Sequence, residues 1–351
     1  MSALWGGVTP IGIDIGSKRV KLAQLARTRR GWRACALSAF DRLDRAPIPG
    51  EAELGRIAEV LDRAGFVGDE VVVGAPRACV HTAVLELPPR KSGAPLEQIC
   101  QSEVSRMFRL APGSYEMHAW EVPSASSRST MTQMAASALS WSDAEALVAP
   151  FDRAGLSVVA IDLVGEATSR ACAHVMQGLS ELGVLIDLGE AGLDLLVFRA
   201  GACVYHRRLE ALGLAWIAET VARKLAIPAR GAGALIRRFG LAEETSPEAD
   251  ALCATRARVI LREQVDLMLQ ETLSSVAYAL DRFPGEAVSA LRLVGGGANT
   301  PGIAPYLTEI SGVEAAPVVP ASLARGLSAR RHAAGDPSYM TALGHALWGS
   351  D

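Results

Sequence analysis

The residues of this chain best suited to chemistry are two aspartates, each closing an apolar run and standing two residues before a glycine. They are Asp14 in Ile11-Gly-Ile-Asp-Ile-Gly16 and Asp187 in Val184-Leu-Ile-Asp-Leu-Gly189. A glycine in the turn lets backbone N–H groups approach phosphate oxygens closely, and a carboxylate beside it can hold hydrated Mg²⁺ through the metal's waters. Lys18 or Lys21, just after the first turn, would supply positive charge for phosphate. A third element is the apolar run Leu291-Arg-Leu-Val294 leading into Gly295, Gly296 and Gly297, then Ala298 and Asn299. Three consecutive glycines strip a loop of side chains, so a flat base or a phosphate can lie directly on backbone. Either Asp-x-Gly alone is an ordinary turn signal; the order of the three elements is more telling. The chain has no G-x-x-x-x-G-K, and no G-x-G-x-x-G follows the first strand, which argues against P-loop and Rossmann readings.

Residues 11–25 alternate around a Gly-Ser turn as a β-hairpin does, and 32–40 would add a third strand. Residues 51–64 carry Leu54, Ile57, Ala58 and Leu61 at the spacing of a helix with one buried face. Strands follow at 71–76 and 80–87, a helix at 96–108, and strands at 117–122 and 131–139 flank a Ser-rich loop at 124–130. A helix over 143–154 begins at a Ser142 cap and is followed by a strand at 158–163. Residues 182–199 then repeat the opening hairpin. A mostly helical region spans 213–282, with an acidic break at 243–248. Its last helix, 256–283, is expected to turn Val259, Ile260, Met268, Leu269, Leu273, Val276 and Leu280 inward.

With 351 residues, half of them hydrophobic and 21% charged, the chain exceeds the usual size of a single core, so two lobes are expected. A net charge of −3 gives no basic field to draw nucleic acid or an anionic membrane. The six cysteines, and His81, His118, His174 and His206, lack metal-ligand spacing and read as ordinary packed or surface residues. No apolar run of spanning length occurs, which predicts a cytoplasmic protein without direct membrane insertion.

The order Asp14-x-Gly, Asp187-x-Gly and Gly295-Gly-Gly, with a helical insert between the last two, resembles the phosphate-1, phosphate-2 and adenosine motifs of the actin, Hsp70 and sugar-kinase superfamily. The run Gly12-Ile-Asp-Ile-Gly-Ser-Lys-Arg-Val-Lys-Leu-Ala-Gln-Leu25 looks like the opening of the PilM family and its FtsA-like relatives. Val72-Val-Gly-Ala-Pro76 resembles the first strand of that family's small inserted subdomain. Residues 154–162 with Ala167 and Arg170 resemble its connecting segment, and Tyr339 to Leu347 its closing helix. The resemblance implies an α/β, actin-like ATPase (ribonuclease H-like) fold in two lobes. The first lobe would span 1–180 with a small insert at about 71–139, and the second 181–351 with a helical subdomain at about 213–283.

It further implies ATP and Mg²⁺ as cofactors. Gly16, Ser17, Lys18, Lys21, Gly189, Gly192, Arg237, Gly295, Gly296, Gly297 and Asn299 would bind nucleotide, and Asp14 and Asp187 would hold the metal, through water. Glu166 would be the catalytic candidate, orienting an attacking water. The implied role is an ATP-binding scaffold of type IV pilus or related envelope machinery, at most a slow ATPase. It would work at the inner membrane by docking the cytoplasmic N-terminus of a PilN-like bitopic protein, with other pilus inner-membrane components as further partners. The alternatives on the same fold are a small-molecule kinase and an FtsA-like filament former. Two departures bear on turnover. Gly192 and Leu193 stand where the family carries hydroxyl residues, and Glu190 sits in the second turn. In residues 230–238 a glycine takes the place of an expected acid, with Arg237 near the basic position.

Overall fold

The computed structural model describes residues 7–122, 131–242, 251–327 and 331–350. The Ser-rich loop and the acidic break expected from the sequence lie outside the described residues. The chain divides into two compact units. The first comprises residues up to Ala167, Arg282–Pro284 and residues from Ala342 on; the second comprises Thr168–Asp281 and Gly285–Thr341.

In the first unit, β1 (Ile11–Ile15), β2 (Arg19–Thr28) and β3 (Gly31–Asp41) form an antiparallel meander. On the other side of β1, β4 (Glu70–Gly74) and β8 (Ser157–Asp162) pair in parallel. The expected 14-residue helix forms as α1 (Glu51–Ala64), ending at Gly65 with φ 80°. Its Leu54, Ile57 and Leu61 pack on Ile11, Ile13, Val20 and Leu22, together with Leu147 and Phe151 of α3 (Trp141–Arg153). Each such side chain, taken fully out of water, contributes about 1.5–3 kcal/mol. The cap of α3 is Ser140 rather than Ser142: the Ser140 hydroxyl accepts from the Asp143 amide at 3.0 Å, three residues on, as an N-cap does.

The small inserted subdomain begins later than residue 71. Val71, Val72 and Val73 are fully buried, and β4 is an inner strand of the main sheet. An apolar run covered on both faces belongs in a parallel layer, which rules it out as the first strand of a small insert. The insert itself is a three-stranded antiparallel sheet of β5 (Val80–Leu87), β7 (Thr132–Ser140) and β6 (Tyr115–Glu121), in that order, with α2 (Leu96–Phe108) on one face. Leu85, Leu87, Met134, Ala136 and Ala138 meet Leu96, Cys100 and Val104 there.

The second unit repeats the sheet plan. β9 (Leu182–Leu188), β10 (Leu193–Arg199) and β11 (Ala202–Leu209) form a meander, and β12 (Val288–Val294) and β13 (Ala315–Pro317) extend it in parallel from β9. Its helical part holds α5 (Leu214–Leu225), α6 (Ala229–Phe239) and α7 (Ala251–Leu280). Ile260, Met268, Leu269 and Val276 of α7 are buried and Leu280 is half-buried, whereas Val259 and Leu273 are exposed, contrary to expectation. The helix is apolar on more than one side, so periodicity alone could not choose the buried face. A further helix, α8 (Ile303–Ser311), follows β12.

The closing helix (Met340–Ala346) carries the chain back to the first unit, so that unit is not the contiguous 1–180 of the expectation. A Cβ on Gly12 would lie 2.0 Å from the Ala342 carbonyl oxygen, and one on Gly344 only 1.8 Å from that of Ala167. Beside these contacts the fully buried His345 sets Nδ1 2.9 Å from the Asp162 carboxylate, with Nε2 turned toward Gly74.

Candidate functional site

In the first unit the β1–β2 hairpin places Asp14, Gly16, Ser17, Lys18 and Lys21 together. The Gly16 amide donates to the Arg19 carbonyl at 3.1 Å, closing a tight turn over Ser17 and Lys18. Of the two lysines the sequence left open, Lys21 is the one drawn in. Its Nζ donates to Asp14 Oδ2 at 2.7 Å and lies 3.4 Å from where a Gly16 Cβ would sit. The pair is largely buried, so the ammonium offsets a carboxylate that would otherwise be costly away from water. Lys18 is exposed, and its carbonyl accepts from the Arg42 amide at 2.9 Å.

Arg42 is a residue that sequence reasoning missed. Its guanidinium reaches the Gly16 carbonyl at 3.5 Å and forms a two-pronged bond to Glu53, whose carboxylate is only 1% exposed. Glu53 in turn accepts from the Leu43 amide at 3.3 Å. The first turn of α1 thereby braces the turn that follows β1. Neither residue stands in a motif, and only the fold brings them under Gly16.

In the second unit the turn after β9 is closed by the Gly189 amide donating to the Gly192 carbonyl at 2.9 Å. The start of α5 seals it from behind: the Leu214 and Ala215 amides donate to the Gly189 and Glu190 carbonyls at 3.0 and 2.9 Å. Gly213 makes that approach possible, since a Cβ there would lie 2.4 Å from the Gly192 nitrogen and 2.5 Å from the Glu190 oxygen. Two free N–H groups of a helix N-terminus are thus spent on the turn, which joins the positive end of α5 to it.

A cation also attends this turn. Arg208 Nη1 donates to Asp194 Oδ2 at 2.7 Å, and its Nη2 lies 2.9 Å from a Cβ position on Gly192. Asp194, 2% exposed, also meets His206 Nε2 at 3.0 Å and is the cross-strand neighbour of Asp187. Arg208 thereby brings positive charge beside Gly192 in the turn that carries Glu190. The alternation of β11 was its only signal.

The three glycines divide by task. Gly295 has φ 81°, and a Cβ on it would lie 2.3 Å from Asp187 Oδ1. A Cβ on Gly297 would lie 2.3 Å from the Leu188 side chain. Both let the loop pack against the end of β9. Gly296 alone is open, with Leu214 at 3.8 Å the nearest atom to its Cβ position. Asn299 is turned away to donate to Asp336 at 2.7 Å.

Arg237 stands exposed on α6, its guanidinium 3.3 Å from the Cβ position of Gly233, so the glycine one turn earlier gives it room. The end of α6 is fastened beside the loop: Leu241 N–H donates to the Pro301 carbonyl at 2.6 Å, and Gly240 packs on Pro301. Glu166 lies half-buried in the first turn of α4 (Val164–Met176). Cys172, also on α4 and fully buried, has its thiol pushed up by burial first and by the nearby Asp187 charge second, so it stays protonated.

Phosphate-sized turns, a side-chain-free loop and flanking cations recur in proteins that grip nucleotides by their backbone. The comparisons with known proteins agree on the fold. A "PilM-PilN type IV pilus biogenesis complex" superposes with a TM-score of 0.77 at 20% identity, covering 98% of this chain and 99% of that one. The ethanolamine utilization protein EutJ from Carboxydothermus hydrogenoformans follows with 0.58 at 14% identity, covering 99% and 92%. MreB 5 of Spiroplasma citri, bound to AMPPNP, gives 0.52 at 12% identity, covering 97% and 95%. The fold is therefore that of an actin-like ATPase. A comparison with curated protein sequences returns no significant match. The family model described as type IV pilus assembly protein PilM matches residues 12–350, and the chain belongs to that family.

Proposed function

We propose that this protein is a nucleotide-binding, actin-like scaffold of type IV pilus assembly that captures the cytoplasmic N-terminal peptide of a PilN-like bitopic inner-membrane protein. The observation that carries the reading is the family match over residues 12–350. Among the described residues no helix is long and apolar enough to cross a membrane. A protein partner is then the route by which the chain, working on the cytoplasmic side, is held at the inner membrane. Other inner-membrane pilus components would meet it there.

The two turns and the glycine loop suit a nucleoside triphosphate. Within the first unit the turn of Gly16, Ser17, Lys18 and Lys21 would suit phosphate, and within the second unit so would the turn of Gly189 and Gly192 with Arg208 beside it. Backbone at Gly296, with Gly295, Gly297, Asn299 and Arg237 nearby in sequence or fold, would take the adenosine. The carboxylates of Asp14 and Asp187 suit Mg²⁺ held through water, which would screen phosphate charge. Calorimetry with Mg-ATP should give saturable heat on the wild type and at least about a tenfold loss of affinity, or about 1.4 kcal/mol, on Asp14→Ala and on Asp187→Ala. No heat at about millimolar nucleotide, a binding free energy near −4 kcal/mol, would leave a scaffold that works without nucleotide.

For the peptide, the three-stranded sheet offers the face opposite α2. Val80, Thr82 and Val84 of β5 share it with Ala135, Ser137 and Leu139 of β7 and with His118 and Trp120 of β6, as the register dictates. Val84 is 58% exposed. Leu85 points the other way into the core under α2, and Phe108 stacks on His81 at 4.8 Å on that same side. Leu85 is thus part of the core, whereas Val80 faces outward. An extended apolar peptide on this wall gains main-chain bonds along a strand edge and buries alternate side chains. Val84→Glu and Trp120→Glu should abolish co-purification with the bitopic protein while leaving the melting temperature unchanged. Full retention by both variants would remove this face as the docking wall, and no capture by the wild type would remove the PilN-like partner.

A further inference from the structure

The hairpin of β2 and β3 gathers positive charge that the net value hides. Residues 15–40 hold seven basic residues and no acid, so the chain's −3 combines +7 here with −10 elsewhere. At the base of the hairpin the charge is matched: Arg19 Nε lies 3.5 Å from Asp41, and Lys21 Nζ lies 2.7 Å from Asp14. At the tip it is not. Arg27, Arg29, Arg30 and Arg33 are all exposed, and among the described residues no carboxylate pairs with any of them.

The backbone holds these arginines ready. Arg29 and Arg30 are the two residues of the turn that joins β2 to β3. Thr28 Oγ1 accepts from the Arg30 amide at 3.2 Å and donates to the Gly31 carbonyl at 2.7 Å, and Gly31 takes φ 98° as β3 begins. A turn fixed in this way needs little further ordering when a ligand arrives. Register sets Arg27 opposite Trp32 on one face and Arg33 opposite Ala26 on the other, so cations flank the tip on both faces, within about 10 Å of it. Arg27 is partly in use: it lies over the Trp32 ring at 5.4 Å, and its Nη1 donates to the Ser350 carbonyl at 3.3 Å. Arg29, Arg30 and Arg33 face solvent.

We propose that this tip meets the phosphate-rich surface of an anionic bilayer end-on, without inserting into it. A guanidinium can hold a phosphate through two N–H groups, and each basic residue near an anionic leaflet raises partition about fivefold. Three arginines together supply roughly a hundredfold. That hold is weak by itself; it adds to capture of a membrane-bound partner and does not depend on it. With the rest of the chain net acidic, the attraction is local and orients the chain hairpin-first. Nucleic acid shares the phosphate chemistry, but its binding draws on a line of several phosphate contacts and on bases stacked over free aromatic rings. Here the contact is a two-residue tip, and Trp32 is half-buried beneath Arg27.

Co-sedimentation of the full chain with vesicles tests this. At about 50 mM salt the wild type should bind vesicles of about 30% phosphatidylglycerol in phosphatidylcholine and leave pure phosphatidylcholine vesicles alone, and about 500 mM salt should release it. Arg29→Glu with Arg30→Glu should lower the partition at least about twentyfold, and Arg33→Ala about fivefold, each with an unchanged melting temperature. A control pair, Arg63→Glu with Arg106→Glu, changes the net charge equally at exposed sites on α1 and α2 and should bind within about twofold of wild type. No binding by the wild type at about 50 mM salt, or equal loss in the control and tip variants, would overturn the proposal. So would release from the vesicles by an oligonucleotide of about 20 bases that binds the tip more tightly than they do.

Discussion

At the scale of single residues, the glycine loop separates positions that hold the fold from one that is free for a ligand. Gly295 combines a positive φ with an oxygen 2.3 Å from its Cβ position, and Gly297 has the Leu188 side chain equally close. Gly295→Ala and Gly297→Ala should each cost about 1–3 kcal/mol in chemical denaturation. Gly296→Ala meets only open space and a distant Leu214 methyl, so its stability should change by less than about 0.5 kcal/mol. If adenosine lies on this loop, Gly296→Ala alone should lose Mg-ATP affinity without losing stability; undiminished affinity would place the base elsewhere. The sequence marked all three glycines alike, because composition carries no record of which backbone a neighbouring strand approaches. It marked Asp14 and Lys21 but not their ion pair. It passed over Arg42, Arg208 and His345, whose partners are set by packing.

At the scale of elements, the start of α5 is a structural part of the second turn. Gly213→Ala forces a methyl to within 2.4–2.6 Å of three backbone atoms of residues 190–192, none of which can rotate aside. A loss of about 1–3 kcal/mol is expected, together with weaker nucleotide binding than in wild type when both are compared well below their melting temperatures. Retained stability and affinity would mean that the turn tolerates being lifted from the helix. The repeated hairpins were legible from their alternation, and α1 and α2 appear with the bounds their periodicity implied. The placement of β4 was not legible, because a fully apolar run reads as a strand without saying which sheet receives it. The buried face of α7 escaped for a related reason: with apolar residues on several sides, the choice falls to the surface it packs on.

At the scale of the whole molecule, the reading of this protein as a scaffold rather than a metabolic enzyme makes turnover the deciding measurement. Catalysis on phosphates is positioning plus electrostatics, and the second turn offers no hydroxyl side chain while carrying Glu190. Phosphate release should therefore stay below about 1 s⁻¹, the low end for kinases, and a faster rate would refute the scaffold reading. Glu166→Gln should lower whatever turnover exists if that carboxylate orients the attacking water. The sequence by itself determined the two-lobed plan, the family and the three backbone-rich turns. Each of these rests on local patterns: alternation, an Asp-x-Gly spacing, a run of glycines. Only the tertiary structure decided that residues from Ala342 on close the first sheet across Gly12, that Arg208 supplies charge at the second turn, and that Val259 and Leu273 of α7 stay exposed. These depend on contacts between residues up to some 330 positions apart, and the free energy of such contacts comes from atoms meeting in space, which no spacing along the chain records.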